Sequence, residues 1–281
     1  MIPILAIIAG AVIGSSSGLY IKTLAFSSLA LTGFRTGIPA LLMLPAMLRK
    51  GRALGMPGRS KELWIASSLN AVRMLLYVMA FKLTTVGNAV VLLYLWPIFT
   101  LVFESARNKQ APDASKIALV VLSFAGVVVM NLHRGLGFSI DDLYGSILMI
   151  VSAAGYAVTA IMFKKALESV GEADVVYYQN AVGAVVYLPF LAIELGSAPL
   201  LDTGMGIVYG ATVGLAGFVL FFYAMKRLPM FQYGALSYVE VPISVMVGIV
   251  FLGESFVPNQ LAGAVMVIIA SLLAQKVRSV G

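Results

Sequence analysis

The chain has no cysteine and a single histidine, His133. The first absence excludes disulfides, a thiolate nucleophile and any Cys-ligated metal, and leaves the redox compartment unreadable. The second leaves His133, beside Arg134 at a helix end, with no His or Cys partner for a metal site. Neither metal nor other cofactor is expected. Charge is scarce as well: Asp, Glu, Lys and Arg make up 11% of the 281 residues, against about 25% in soluble domains. No phosphate loop is present, because GRALGMPGRSK (positions 51–61) has glycines but neither the spacing nor the Gly-Lys-Ser/Thr end. An intramembrane acyl or prenyl transferase would want clustered acids or histidines at an interface, and these are lacking too. No enzyme is expected.

What fills the chain instead is apolar sequence: 60% of residues are hydrophobic and the mean hydropathy is +0.98. A soluble globule of this size cannot hide that much apolar surface. The class is an all-α polytopic membrane protein, since a spanning helix needs ~20 mainly apolar residues. Ten such helices are expected, near 2–21, 28–48, 62–82, 86–106, 115–132, 143–163, 174–194, 205–225, 231–252 and 257–275. The N-terminal MIPILAIIAGAVIGSSSGLY lacks the basic region of a cleavable signal and is read as a retained first helix.

With ten spans, both termini lie on one side. Arg49, Lys50, Arg52, Arg59, Lys61, Arg107, Lys109, Lys116, Lys164, Lys165, Lys226, Arg227, Lys276 and Arg278 fall on that side, against Lys22, Lys82 and Arg134 on the other. Basic residues favour cytoplasmic loops, so both termini are expected in the cytoplasm, in the plasma (inner) membrane. The net charge of +7 is a topology signal. It is no nucleic-acid footprint, because no basic cluster is interleaved with base-stacking aromatics.

An internal duplication is expected, with one five-helix half in 1–135, the other in 136–281, and one membrane domain in all. Pro97 and Pro242 are 145 residues apart, and the same offset carries Gly126 onto Ser271. Ala80-Phe81-Lys82 matches Ala224-Met225-Lys226 at 144, as Pro45 matches Pro189. The competing explanation is chance similarity between apolar helices. Five spans per half force the second half to insert upside down, the plan of many secondary transporters, whose substrate sites lie between the halves near the midplane.

The paired halves resemble the drug/metabolite transporter superfamily, of the EamA-type ten-helix kind. The residues that carry the likeness are Arg35 in GFRTGIPALLML, the pattern YAMKRLPMFQYGALSYVEVP with Glu240, and FLGES with Glu254. Tyr94-Leu95-Trp96-Pro97 is similar to a stretch in bacterial aromatic amino-acid exporters. The likeness covers essentially the whole chain and implies export of a small metabolite. Two departures stand out: Val241 separates Glu240 from Pro242, where the family often has Pro directly after Glu, and the 145 offset puts Lys109 where Glu254 would repeat.

Only Arg35, Arg73 and Glu240 lie well inside spans, and each costs at least ~2.5–3.5 kcal/mol at the bilayer centre unless it faces a cavity or partner. Asn70, Arg73 and Tyr77 share one helical stripe, and Ser237, Glu240 and Ser244 another. Both stripes sit at similar depth and are expected to line one cavity. The competing reading is that Arg73 and Glu240 neutralise each other as a buried pair. Arg35 either joins the cavity or reaches to headgroups. Tyr77, Tyr94, Trp96, Tyr178 and Tyr238 offer an apolar wall, or simply pack. Asn180 takes the place of Arg35 at the 145 offset. It and Gln179 either line the cavity or hydrogen-bond between helices.

An Arg fork suits a carboxylate and Glu240 suits an ammonium. The expected cargo is therefore a small zwitterion, most simply an amino acid, carried by alternating access. The alternatives are nucleotide derivatives or cationic amines and drugs. Pro97 and Pro242, mid-span at equivalent places, are candidate hinges or else fixed kinks. The expected partners are this small molecule and the lipid bilayer. Oligomeric state is not legible.

Overall fold

The computed structural model describes residues 2–52, 60–109, 111, 113–132, 139–252 and 257–277. His133, Arg134 and Glu254 lie outside them. Every element described is helical: α1 Ile2–Gly14, α2 Ser17–Thr23, α3 Ser28–Arg49, α4 Ser60–Leu83, α5 Val86–Leu93, α6 Trp96–Asn108, α7 Ala114–Asn131, α8 Ile140–Ala166, α9 Glu172–Leu195, α10 Leu200–Tyr209, α11 Phe218–Arg227, α12 Met230–Ser237, α13 Glu240–Leu252 and α14 Pro258–Ala274. A π-helical stretch, Gly210–Gly217, joins α10 to α11.

These segments compose ten crossings. Eight are long and apolar enough to span a bilayer: α1–α2, α3, α4, α5–α6, α7, α8, α9 and α10–α11. The ninth is divided into α12 and α13, and the tenth is α14. The protein is thus a multi-pass membrane protein. Its apolar side chains, Val72, Val185 and Ile193 among them, face outward, while each helix satisfies its own backbone, as the bilayer requires.

Three crossings are broken near mid-span, each for a local reason. In the first, Ser15 and Ser16 turn their hydroxyls onto the Val12 and Ile13 carbonyls at 2.8 and 2.7 Å, which competes with the helix ladder. In the fourth, Pro97 can neither donate to the Leu93 carbonyl nor let it approach, so the helix stops at Tyr94 and restarts at Trp96. In the ninth, Pro242 has the same effect on Tyr238, and the helix restarts at Glu240. Both prolines therefore stand in the first turn of a half-helix, where a missing N–H costs nothing. Pro39, Pro45 and Pro189, by contrast, are carried inside continuous helices.

The two halves repeat at element level with one offset. Helix starts Ser28 and Glu172, Val86 and Met230, Trp96 and Glu240, and Ala114 and Pro258 are each 144 residues apart. Val241 is the extra residue that stretches the proline spacing to 145. Equivalent helices pack on each other across the centre, α3 along α9 and α7 along α14. The α7–α14 crossing is close enough that a Cβ on Gly126 would come within 2.7 Å of the Gly263 carbonyl oxygen.

The same offset recurs in hydrogen bonds at opposite ends of the molecule. At the end away from the termini, Lys82 Nζ donates to the Phe26 carbonyl at 2.9 Å and Lys22 Nζ to the Thr84 carbonyl at 2.8 Å. At the terminal end, Lys226 Nζ donates to Val170 at 3.3 Å and Lys164 Nζ to Leu228 at 2.8 Å. The acceptors Phe26 and Val170, and Thr84 and Leu228, are again 144 apart. Each half thus ties its first crossing to its third, and five crossings per half put the two ties at opposite membrane faces.

Candidate functional site

A cavity lies between the halves at the three helix breaks. It is lined by Gly14 and Ser17 from the first crossing, Arg35 from α3, Arg73 and Tyr77 from α4, Tyr94 and Trp96 from the fourth crossing, Tyr156 from α8, and Tyr233, Ser237 and Glu240 from the ninth. A vestibule of about 270 Å³ shares Gly14, Tyr77, Tyr94 and Glu240 with it and continues to Lys22, Asn131 and Ser244, at the end away from the termini. Toward the terminal end the floor is aromatic. Trp96 lies 4.7 Å from Tyr156 and 5.8 Å from Tyr233, centroid to centroid, and the Tyr156 and Tyr233 hydroxyls meet at 3.4 Å. Below it Phe163, Phe222, Met225 and Met230 fill the core. Among the described residues four ion pairs close the same end: Arg52–Asp174 at 3.0 Å, Lys165–Glu62 at 2.6 Å, Arg227–Glu172 at 2.6 Å and Lys226–Glu172 at 3.8 Å.

Both inward-facing arginines are buried, Arg35 with 3% and Arg73 with 5% of its surface exposed. Arg73 is held by its own stripe, its Nε donating to Asn70 Oδ1 at 3.0 Å. Its guanidinium lies over the Tyr156 ring, 4.4 Å from the centroid, an arrangement that favours a cation. Asn70 is steadied in turn by Gln179 Oε1 at 3.5 Å. Across the cavity, Glu240 opens α13 and lines the same space together with Tyr94. Gly14 makes room for the Glu240 carboxyl, since a Cβ there would sit 2.6 Å from Oε1. Among the described residues no ion pair joins Glu240 to either arginine. The mutual-neutralisation reading of Arg73 and Glu240 therefore has no contact behind it.

The structure brings Arg35, Arg73, Tyr77, Trp96, Ser237 and Glu240 to the lining of one cavity, with Asn70 behind Arg73 and Ser244 in the vestibule. Arg35 turns inward and does not reach the membrane surface. Asn180 is not among the lining residues. It donates to the Val176 carbonyl one turn back at 2.7 Å, and the 144 offset places Gln179, not Asn180, opposite Arg35. Tyr178 lies at the terminal end, where its hydroxyl donates to the Arg52 carbonyl. Tyr238 packs its ring at a tilt against Tyr94, 5.4 Å between centroids, and donates to its carbonyl at 3.0 Å, pinning the two equivalent breaks together. Sequence reasoning missed Tyr156 and Tyr233. Each is a tyrosine on a largely apolar helix, and only the fold sets them against Arg73 and Trp96.

Comparison with known proteins yields two successive matches to one family model, described as the EamA-like transporter family, at residues 1–132 and 143–275. An uncharacterized transporter of Archaeoglobus fulgidus is 26% identical over 96% of this chain and 94% of its own length. The uncharacterized transporter YcxC of Bacillus subtilis is 29% identical over 62% of this chain, a match that spans 59% of that relative. The threonine/homoserine exporter RhtA of Escherichia coli K12 is 25% identical over 86% of this chain and 79% of its own. These relatives are named transporters, not enzymes. A protein of known crystal structure shares the fold with a TM-score of 0.76 over 98% of this chain and 99% of its own, at 17% identity.

Proposed function

Because the chain belongs to the EamA-like transporter family, we propose that it carries small zwitterionic metabolites, amino acids first among them, by alternating access through the central cavity. The observation that carries this reading is the pair of opposite charges on facing walls, Arg73 and Glu240, left unpaired with each other around a closed-bottomed cavity. An α-carboxylate meets a guanidinium that Asn70 and Tyr156 already orient, and an ammonium meets Glu240. Preorganised charge of this kind binds without the cost of arranging it afterwards. A cationic amine would find two guanidiniums in its way, which disfavours that alternative.

The excess of basic residues on the terminal side supports cytoplasmic termini in the plasma membrane. In that orientation the vestibule faces outward and the ion-paired end faces the cytoplasm. Release of cargo outward and return to a cytoplasm-open form would complete an export cycle, the direction suggested by the relation to a threonine/homoserine exporter. Lengthwise pairs of broken helices, α5–α6 and α12–α13, supply the discontinuities that transporters use near the midplane.

Counterflow of a panel of labelled amino acids into liposomes holding the purified protein tests the reading. Glu240→Gln keeps the shape of the side chain and removes its charge, so it is expected to lower saturable flux at least about tenfold, the worth of a charged hydrogen bond, with little change in folded yield. Equal losses of flux and folded yield would make Glu240 a packing residue.

A further inference from the structure

Resting on that transport reading, we propose that the preferred cargo is an amino acid of net charge −1, an aminodicarboxylate, and that Arg35 reads its second acidic group. Arg73 and Glu240 already match the α-carboxylate and ammonium of any amino acid, which leaves Arg35 unexplained. It lines the same cavity, and its guanidinium sits 4.5 Å from the Phe218 centroid and 6.0 Å from that of Tyr209. Its Nε is a buried donor with no partner. Among the described residues no carboxylate pairs with it.

A structural arginine in a membrane protein spends its five donors on carbonyls or acids. Arg35 does not. Two aromatic faces recover part of the cost of burying a cation, and the remainder is recovered only when an anion arrives. The π-helical turn of the eighth crossing fits this purpose. Gly214 lies so close that a Cβ there would touch Pro39 Cγ at 2.6 Å and the Arg35 carbonyl at 2.7 Å, which brings Phe218 under the guanidinium. Such π-helical turns are frequent at functional sites.

Charge arithmetic points the same way. The charged residues lining the cavity are Arg35, Arg73 and Glu240, a formal sum of +1. A neutral zwitterion would leave that charge uncompensated in a low-dielectric space, whereas a cargo of −1 closes it to zero. The vestibule adds Lys22 at its mouth, a further cation on the path between the cavity and the end away from the termini.

The test is counterflow into proteoliposomes of labelled L-glutamate against L-glutamine, which differ in charge but hardly in shape, in chloride and in chloride-free medium. Wild type is expected to favour glutamate by about tenfold or more in kcat/KM, the value of one charged hydrogen-bonded contact. In Arg35→Gln the ratio falls to near unity, and Arg35→Lys restores part of it. Should Arg35→Gln fail to fold, competition on wild type decides: glutamate and aspartate displace label better than glutamine, asparagine or glutarate. Equal or better carriage of glutamine or threonine would overturn the inference and leave the amino-acid reading standing. Glutamine carriage that requires chloride would also overturn it, by making a halide the partner of Arg35. If the folded wild type carries no amino acid, the transport reading falls first and this inference with it.

Discussion

Arg73 owes its usefulness to what surrounds it. Asn70 holds Nε at 3.0 Å and the Tyr156 ring lies against the flat guanidinium, which leaves the two terminal nitrogens as the fork that the proposed carboxylate would meet. Lysine keeps the charge but has neither the fork nor the plane that stacks on a ring. Arg73→Lys is therefore expected to raise the apparent KM for a carboxylate-bearing cargo roughly tenfold, the scale of one charged hydrogen bond, while flux at saturation changes less. Kinetics of uptake into proteoliposomes check it, and an unchanged KM would remove Arg73 from the site. The charges themselves were legible in the sequence, because an intramembrane Arg or Glu is too costly to be incidental. The rings that tune them were not. Nothing in the stretch AAGYAVT distinguishes Tyr156 from a lipid-facing tyrosine until α8 is laid against α4.

Among elements, the breaks matter more than the helices. Pro97 and Pro242 were visible as a repeated pair, yet their position relative to the bend depends on what precedes them. Each stands just after the break, in the first turn of α6 or α13, so the ring removes no intrahelical bond there. The tyrosines before the breaks make the inter-half contact instead, Tyr238 donating to the Tyr94 carbonyl. Pro97→Ala is expected to change unfolding free energy by less than ~1 kcal/mol, whereas Tyr238→Phe strips a buried carbonyl of its donor and costs ~1–3 kcal/mol. Thermal unfolding in detergent ranks the two, and a larger loss for Pro97→Ala would contradict this assignment. The one-residue slip at Val241 also explains why Asn180 seemed to stand opposite Arg35: counting from the prolines gives 145, counting from helix starts gives 144.

For the whole molecule, the closed terminal end sets the direction of the described state. Glu172 joins α9 to the end of α11 by holding both Arg227 and Lys226. These pairs are partly exposed, each worth ~1 kcal/mol at most. Such a clasp can hold a conformation without locking it. Glu172→Gln is expected to shift the population toward opening at that end. A cysteine introduced at Met230, beneath the aromatic floor, should then react roughly fivefold faster with a membrane-impermeant maleimide added from the terminal side, the factor that about 1 kcal/mol allows. An unchanged rate would mean that the clasp does not report on opening. Ten crossings, inversion and charge asymmetry follow from hydropathy and odd-number arithmetic, and so were readable in advance. The open end was not, because it depends on small energy differences between two packings of one sequence.

The natural absence of cysteine permits the most direct test of the central claim, that cargo occupies the cavity between Arg73 and Glu240. Ser237 lines that cavity and spends its hydroxyl on the Gly234 carbonyl at 2.7 Å. A single Ser237→Cys variant would be labelled with a small thiol reagent at increasing amino-acid concentration. The account predicts saturable protection, half-complete at the concentration that half-saturates counterflow in the same variant. Labelling that is indifferent to a cargo the variant demonstrably carries would place the substrate elsewhere.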